Sequence, residues 1–213
     1  MNRQNMTRRQ FVSQASTGTL AALTLGSLPA FAGRSAATLA VKGGKPLRTK
    51  PWPNWPIWDR AAEERILAIL RSGNWYRGQG QTVTEFEGKY ARLLGAKRCT
   101  CTVNGTNALL TAMHALDVGV GDEVIVSPYT FIATYNVVLN SAALPVFADT
   151  DPETFQINPA KIEERITERT RAIMPVHILG IPADMDPIMA IARKHNLVVI
   201  EDACQAWLAQ YRG

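Results

Sequence analysis

The chain has 213 residues, of which 46% are hydrophobic and 19% are charged. This composition is typical of a globular protein with one substantial core, and it excludes a disordered chain and a collagen-like fibre. The formal net charge is +5, but residues 1–32 contain three arginines and no acidic residue, so the remaining residues carry only +2. Because no basic stripe with interleaved aromatic residues remains, the sequence predicts no nucleic-acid-binding surface.

Residues 1–32 have the pattern of an export signal. Arg8 and Arg9 precede Phe11, as in twin-arginine signals, and a mildly apolar run over residues 15–28 leads to small residues that end at Ala32. The alternative is a membrane-anchoring or amphipathic helix, but the run is rich in Gly, Ser and Thr and shorter than the ~20 apolar residues that span a bilayer. We therefore expect the twin-arginine translocase as a partner and export to the periplasm, with a cytoplasmic location as the alternative.

The next segments predict a linker and two helices. Residues 33–58 are rich in Gly, Pro and Trp toward their end, which predicts a linker and an irregular segment before the first helix, here called the N-terminal lead. Asp59 is a good N-cap for a helix over Arg60–Ser72. Thr84 and Glu87 have the spacing of a capping box for a second helix.

From residue 98 onward, short apolar runs alternate with helical patterns. The predicted strands are Cys99–Val103, Glu123–Ser127, Leu144–Ala148, Ala172–Val176 and Leu197–Ile200, and the predicted helices are Asn107–Leu116, Phe131–Ser141, Ala160–Ile166 and a last one from Asp184 to His195. Several strands are apolar throughout, which indicates an α/β fold with a mainly parallel sheet flanked by helices. We expect residues 59–213 to form part of one large domain, because a domain of this kind normally continues beyond its last predicted strand.

The three cysteines predict no metal site. Cys99, Cys101 and Cys204 are an odd number and lack the C-x-x-C spacing of zinc ligands. The sequence therefore indicates small, mainly buried side chains rather than a zinc site or a disulfide framework.

A turn rich in small polar residues follows the first predicted strand. Residues 104–108 read Asn-Gly-Thr-Asn-Ala and start a helix. Glycine lets an anion approach the backbone, and the helix N-terminus with its free N–H groups attracts it. The pattern fits a phosphate site, and a plain N-cap turn is the alternative.

Two further junctions place functional groups after strands. Phe131 starts the helix after the second strand, either as a stacking platform for a ring or as a core residue. Asp202 follows the last strand, where it either pairs with a protonated ring nitrogen or caps the next turn. Ligands of parallel α/β sheets collect at the carboxyl ends of the strands, so these side chains are expected to converge.

The order of these motifs resembles one known family, the DegT/StrS family of pyridoxal-phosphate-dependent sugar aminotransferases. The resemblance runs from about Lys42 to Gly213 and rests on Trp75 and Gly78, Glu85-Phe86-Glu87, Asn104-Gly105-Thr106-Asn107-Ala108-Leu109, Gly121-Asp122-Glu123-Val124-Ile125, Thr130-Phe131-Ile132-Ala133-Thr134, Pro175-Val176-His177, Pro182-Ala183-Asp184-Met185-Asp186 and Glu201-Asp202-Ala203-Cys204-Gln205-Ala206. It implies the PLP-dependent transferase fold type I, of which this chain would hold a truncated large domain without the C-terminal small domain.

The resemblance implies a site for pyridoxal 5'-phosphate (PLP) at the strand ends. Backbone and hydroxyl groups of Gly105, Thr106 and Asn107 would bind its phosphate. Phe131 would stack on its pyridine ring.

Two more side chains would hold the rest of the ring. Asp202 would pair with the ring nitrogen, and Gln205 would approach the phenolic oxygen. His177 ends the fourth predicted strand, where a cofactor or substrate contact and a structural hydrogen bond are both open.

The resemblance also implies a reaction and an assembly. Members of the family are homodimers that move an amino group from glutamate or glutamine to a keto sugar, usually a nucleotide-linked one. We therefore expect an aminotransferase acting on a keto sugar or similar cyclic ketone. The alternatives are a non-catalytic PLP-fold protein with a binding or regulatory role, and a lysine-less sugar dehydratase of the same family.

One part of the family pattern is absent from this chain. The Schiff-base lysine of the family lies some tens of residues beyond the Glu-Asp-Ala-x-Gln segment, so its counterpart is expected beyond Gly213. The lysines of this chain stand in other contexts: Lys42, Lys45, Lys50, Lys89, Lys97, Lys161 and Lys194. No catalytic residue is therefore assigned, and the chain by itself is expected to be inactive.

Overall fold

The structure is a computed structural model that describes residues 38–213, so the export signal predicted for residues 1–32 lies outside the described residues. The chain divides into two compact units, residues 1–60 and 61–213. In the described part of the first unit, Ala40–Lys42 form one turn of 3-10 helix, and no residue is buried.

The remainder of the chain alternates helices with short strands. Its helices are α1 (Arg60–Ser72), α2 (Thr82–Leu93), α3 (Gly105–Ala115), α4 (Ala133–Asn140), α5 (Pro159–Ile162) and α6 (Met185–His195). Its strands are β1 (Glu123–Val126), β2 (Leu144–Phe147), β3 (Thr170–Met174) and β4 (Val198–Val199). Turns of 3-10 helix follow α5 at Glu163–Arg165 and β3 at Ile178–Gly180. None of the helices within residues 38–213 is long and apolar enough to cross a membrane.

The four strands form one sheet in the order β2-β1-β3-β4, and every neighbouring pair is parallel. Pairing of β3 with β4 continues past both strands through a bridge between Val176 and Asp202. The Asp202 N–H donates to the Pro175 carbonyl at 2.9 Å, and the His177 N–H donates to the Asp202 carbonyl at 3.0 Å. The predicted parallel sheet is confirmed, and the bridge beyond β3 and β4 places Asp202 at the carboxyl edge of the sheet.

Both faces of the sheet are covered, because alternate residues of β1 enter different cores. Val124 and Val126 pack in a cluster with Met113 of α3 and Val137 of α4. Ile125 packs in a second cluster with residues of α5 and α6. All three β1 side chains are fully buried, as expected for a parallel strand between two helical layers.

The predicted strand Cys99–Val103 is wrong, since no strand is formed there. The backbone of Cys101 forms hydrogen bonds with side chains instead of with a neighbouring strand. Its N–H donates to Glu87 at 2.7 Å, and its carbonyl accepts a hydrogen bond from Arg77 at 3.2 Å. A β-strand requires a partner strand for these groups, and the apolar run alone does not supply one.

The capping box predicted at Thr84 and Glu87 is also wrong. Helix α2 begins two residues earlier, at Thr82, and its N-cap residue, Gln81, makes no side-chain cap. The Glu87 carboxylate instead pairs with Arg77 at 3.0 Å and accepts the Cys101 N–H. A tertiary contact thus uses the side chain that the local pattern assigned to the helix end.

Candidate functional site

A cavity of about 260 Å³ lies at the carboxyl edge of the sheet. It is lined by Asn104, Gly105, Thr106, Leu109, Thr130, Phe131, Ala133, Val176, Asp202, Cys204 and Gln205. Five of the six residues predicted to contact the cofactor are among them, and Asn107 is not. The strand ends and helix starts therefore bring together residues that are about 100 positions apart in the sequence.

The N-terminus of α3 forms one end of this cavity. The Asn104 side chain accepts the Asn107 N–H at 2.9 Å and caps the helix. The Asn107 side-chain amide also donates to the Asn104 oxygen, at 3.0 Å, which explains why Asn107 does not line the cavity. The N–H groups of Gly105 and Thr106 lie in the first turn, where a helix offers no carbonyl partner, so they are free to bind an anion.

Gly105 leaves no room for a side chain. A Cβ atom built at Gly105 would lie 2.5 Å from the sulfur of Cys204. Partial burial and a hydrogen bond to Asp202 raise the pKa of the Cys204 thiol to about 11. The thiol is therefore neutral at physiological pH and serves as a wall of the cavity rather than as a nucleophile.

Asp202 is the buried acid of the cavity, with 5% of its surface exposed. One carboxylate oxygen accepts the Thr134 hydroxyl at 2.7 Å, and the other accepts the Cys204 N–H at 3.2 Å. Because both oxygens act as acceptors, Asp202 presents the acceptor-only pattern of a carboxylate. It suits a positively charged N–H donor in the cavity.

Gln205 is held in one orientation by the backbone. Its side-chain oxygen accepts the Leu179 N–H at 2.8 Å. A backbone N–H can only donate, so the amide oxygen must face Leu179 and the amide nitrogen is left as a donor. The side-chain NH2 group of Gln205 can therefore donate a hydrogen bond to a negatively charged oxygen of a ligand.

Phe131 lines the cavity but is 66% exposed, so it belongs to neither core cluster. Its exposed face gives a ligand ring a surface to pack on. The structure thus favours the stacking interpretation of Phe131 over the core interpretation, although the stacking contact stays a prediction.

His177 lies on the other side of the sheet edge. Its Nδ1 accepts the Ala183 N–H at 3.0 Å, and its Nε2 lies 2.8 Å from the Glu201 carboxylate. Because Nδ1 is an acceptor, the proton is on Nε2 and the imidazole donates to Glu201. His177 is therefore a fully bonded structural histidine and does not line the cavity.

The cavity contains groups that the sequence-based prediction left without a role. Thr130 and Cys204 line the cavity. Thr134 does not line it, but its hydroxyl donates to Asp202. Thr130 lies three residues before α4 and Thr134 in its first turn, and the repeat of a threonine four residues apart at the start of the predicted helix is the signal in the sequence that could have linked them.

Lysines and metal ligands do not contribute to the cavity. None of the seven lysines is among its lining residues. Within residues 38–213 there is also no group of three or more His, Cys, Asp or Glu side chains that could hold a metal ion.

Comparisons with known proteins identify the same family as the sequence motifs. A model described as the DegT/DnrJ/EryC1/StrS aminotransferase family matches residues 56–213. Over 183 residues the chain is 42% identical to the L-glutamine:2-deoxy-scyllo-inosose aminotransferase of Streptomyces lividus, and the match covers 84% of this chain and 43% of that protein. The chain thus spans about two fifths of the length of the curated relatives it matches.

Two solved structures extend the comparison to the fold. An aminotransferase from Psychrobacter cryohalolentis superposes with a TM-score of 0.72 at 44% identity, over 76% of this chain and 41% of that one. NtdA from Bacillus subtilis, solved with the bound cofactor pyridoxamine 5'-phosphate (PMP), superposes with a TM-score of 0.64 at 39% identity. The match covers 69% of this chain and 34% of that one.

Proposed function

Because the chain belongs to the DegT/DnrJ/EryC1/StrS aminotransferase family, we propose that the protein is a PLP-dependent aminotransferase. The amino donor is glutamate or glutamine, and the acceptor is a keto sugar or a similar cyclic ketone. The donor agrees with the name of the Streptomyces lividus relative, an L-glutamine-dependent aminotransferase that acts on an inosose.

The observation that carries this proposal is the polarity of the cavity. Its wall offers N–H donors at Gly105 and Thr106, a carboxylate acceptor at Asp202 and an amide donor at Gln205. PLP carries the complementary groups: a phosphate, a ring nitrogen that binds a proton, and a phenolic oxygen. The residues present therefore fit the cofactor.

Each residue has a defined task in the proposed site. Gly105 and Thr106 bind the phosphate at the positive end of α3. Asp202 holds a proton on the ring nitrogen, Phe131 packs on the ring, and Gln205 donates to the phenolic oxygen. The chemistry that PLP supplies when bound is an electron sink for the carbanion formed beside the migrating amino group.

A binding measurement tests the cofactor part of the proposal. Equilibrium dialysis with pyridoxamine 5'-phosphate (PMP), the amine form that cannot react with surface lysines, should give saturable binding at one site per chain. Asp202→Asn should weaken binding at least about tenfold, since it removes the charge that pairs with the ring nitrogen. Asp186→Asn is the matched control, because Asp186 forms an exposed pair with Arg212 outside the cavity.

The reaction is tested with the protein expressed from its complete reading frame. Incubation with PLP, L-glutamine and a panel of keto sugars should release a keto acid from the donor and one equivalent of amino sugar. PMP binding without keto acid release would support the non-catalytic alternative, and loss of water from the sugar without amino transfer would support the dehydratase. Failure of the wild-type protein to bind PMP would overturn the proposal.

Export is a separate proposal that rests on residues 1–32. The twin-arginine route carries folded proteins, which suits an enzyme that acquires its cofactor before export. Residues 1–40 fused to a reporter that is active only after folded export should give a periplasmic signal, and Arg8→Lys with Arg9→Lys should abolish it. A reporter that stays in the cytoplasm would contradict the proposed location.

The homodimer expected from the family resemblance is likewise a proposal. Light scattering coupled to size-exclusion chromatography should give twice the mass of the chain used. A monomer at all concentrations would contradict it.

A further inference from the structure

Two threonine hydroxyls form a chain that ends on Asp202. The Thr130 and Thr134 hydroxyl oxygens are 2.7 Å apart, and the Thr134 hydroxyl donates to Asp202 at 2.7 Å. A threonine hydroxyl has one proton, and the Asp202 bond uses the proton of Thr134. Thr130 must therefore be the donor to Thr134, so the chain runs from the cavity wall inward to Asp202.

Thr134 does not line the cavity itself and bonds to two residues that do, Thr130 and Asp202. It is fully buried and is not among the lining residues, whereas Thr130 and Asp202 are. Its hydroxyl is not needed for the end of α4, whose N-cap is Ile132. Valine has nearly the same shape and would fill the same space, so the feature to be explained is the hydroxyl group.

The remaining Asp202 bonds fix the carboxylate plane. The Cys204 N–H donates to one carboxylate oxygen, and the Thr134 hydroxyl donates to the other. A carboxylate tethered at both oxygens has lost its freedom to rotate about its last bond, and its remaining lone pairs keep a set direction. The Cys204 N–H and the threonine chain therefore hold Asp202 in one orientation together.

We propose that Thr134, supported by Thr130, is a positioning residue that orients Asp202 toward the ring nitrogen of the cofactor. The inference rests on the proposed PLP function and adds a role for two residues outside the direct cofactor contacts. It predicts that the threonines affect recognition of the ring nitrogen and leave recognition of the phosphate and the phenolic oxygen unchanged.

The test compares PMP with its 1-deaza analogue, in which a C–H group replaces the ring nitrogen. Dissociation constants are measured by equilibrium dialysis for the wild-type protein, Thr134→Val and Thr134→Ser. Thr134→Val should lower the preference for PMP over the analogue about tenfold, as expected for the loss of a hydrogen bond to a charged group. Thr134→Ser keeps the hydroxyl and should retain the preference.

Thr111→Val is the matched control, since the Thr111 hydroxyl bonds to a carbonyl of its own helix and lies outside the cavity. An unchanged preference in Thr134→Val would overturn the inference, because a purely structural role would weaken both ligands alike. If Thr134→Val does not fold, Thr130→Val decides: a smaller loss of preference supports the inference and an unchanged preference overturns it. If the wild-type protein binds neither ligand, it is the proposed function that fails.

Discussion

At the scale of single residues, His177 and Glu201 show how neighbours in sequence can serve different purposes. Val176 and Asp202 line the cavity, while the adjacent His177 and Glu201 line a second cavity of about 310 Å³. Side chains alternate between the two faces of a strand, so one position along the chain separates the residues of the proposed cofactor site from those of the second cavity.

This separation gives a testable result for Glu201. The hydrogen bond from His177 lowers the pKa of Glu201, and partial burial acts in the opposite direction. In His177→Phe the lowering contact is lost while burial stays, so the Glu201 pKa should rise to its usual value or above. Carboxyl NMR titration, assigned with Glu201→Gln, measures this change.

His177→Gln is the control for that experiment, because a glutamine amide places a donor near the position of Nε2. The Glu201 pKa in this variant should stay below the value in His177→Phe. An equal pKa in the two variants would show that the imidazole does not act through its hydrogen bond.

At the scale of secondary structure elements, the end of the sheet opposite the cavity is tied by a buried acid. Glu123 at the start of β1 is 3% exposed. Its carboxylate accepts the Thr167 hydroxyl at 2.5 Å and two bonds from Arg169, at 2.5 and 3.0 Å. These contacts join β1 to the segment that leads into β3.

Glu123→Gln should destabilise the protein by about 1–3 kcal/mol at neutral pH, since a charged acceptor is lost from a buried site. The Thr167 hydrogen bond, followed by Arg169, lowers the pKa of Glu123 in the folded state. A lowered pKa stabilises the fold above the pKa of the unfolded chain, and this contribution is lost as the pH falls through the folded value.

Urea denaturation of both proteins from pH 7 down to pH 3 measures the difference. The gap in unfolding free energy should be largest at neutral pH and shrink below about pH 4, where unfolded glutamate takes up its proton. A gap that is independent of pH would mean that shape rather than charge explains the effect.

At the scale of the whole molecule, the buried residues are unevenly distributed between the core and the described part of the N-terminal lead, residues 38–58. All residues of the two core clusters lie between Leu109 and Ile200, whereas no residue from 38 to 58 is buried. A chain that starts at residue 59 should therefore lose no more than about 0.5 kcal/mol of unfolding free energy, the usual range for changes on the surface.

Ile125→Ala is the reference variant with which the shortened chain is compared, because Ile125 is fully buried in the sheet. It should cost about 2–5 kcal/mol, the range for truncating a large core side chain. Both variants are measured by urea denaturation. A loss of unfolding free energy in the shortened chain as large as that in Ile125→Ala would contradict the prediction.

The sequence by itself determined the alternation of helices and strands and the parallel sheet. It did so because apolar runs and helix-stop residues act locally, and because buried parallel strands are apolar on both faces. It predicted α1 over Arg60–Ser72 with the bounds that the structure has. The order of short motifs along the chain also predicted the family.

Only the tertiary structure decided what depends on partners distant in sequence. Glu87 satisfies Cys101 and Arg77 rather than its own helix end, and this contact replaces both the predicted capping box and the predicted strand. The orientation of Asp202 likewise depends on Thr134, 68 positions away. A hydrogen bond between residues so far apart leaves no local pattern, so the chain that links Thr130 through Thr134 to Asp202 became visible only once the fold had brought them together.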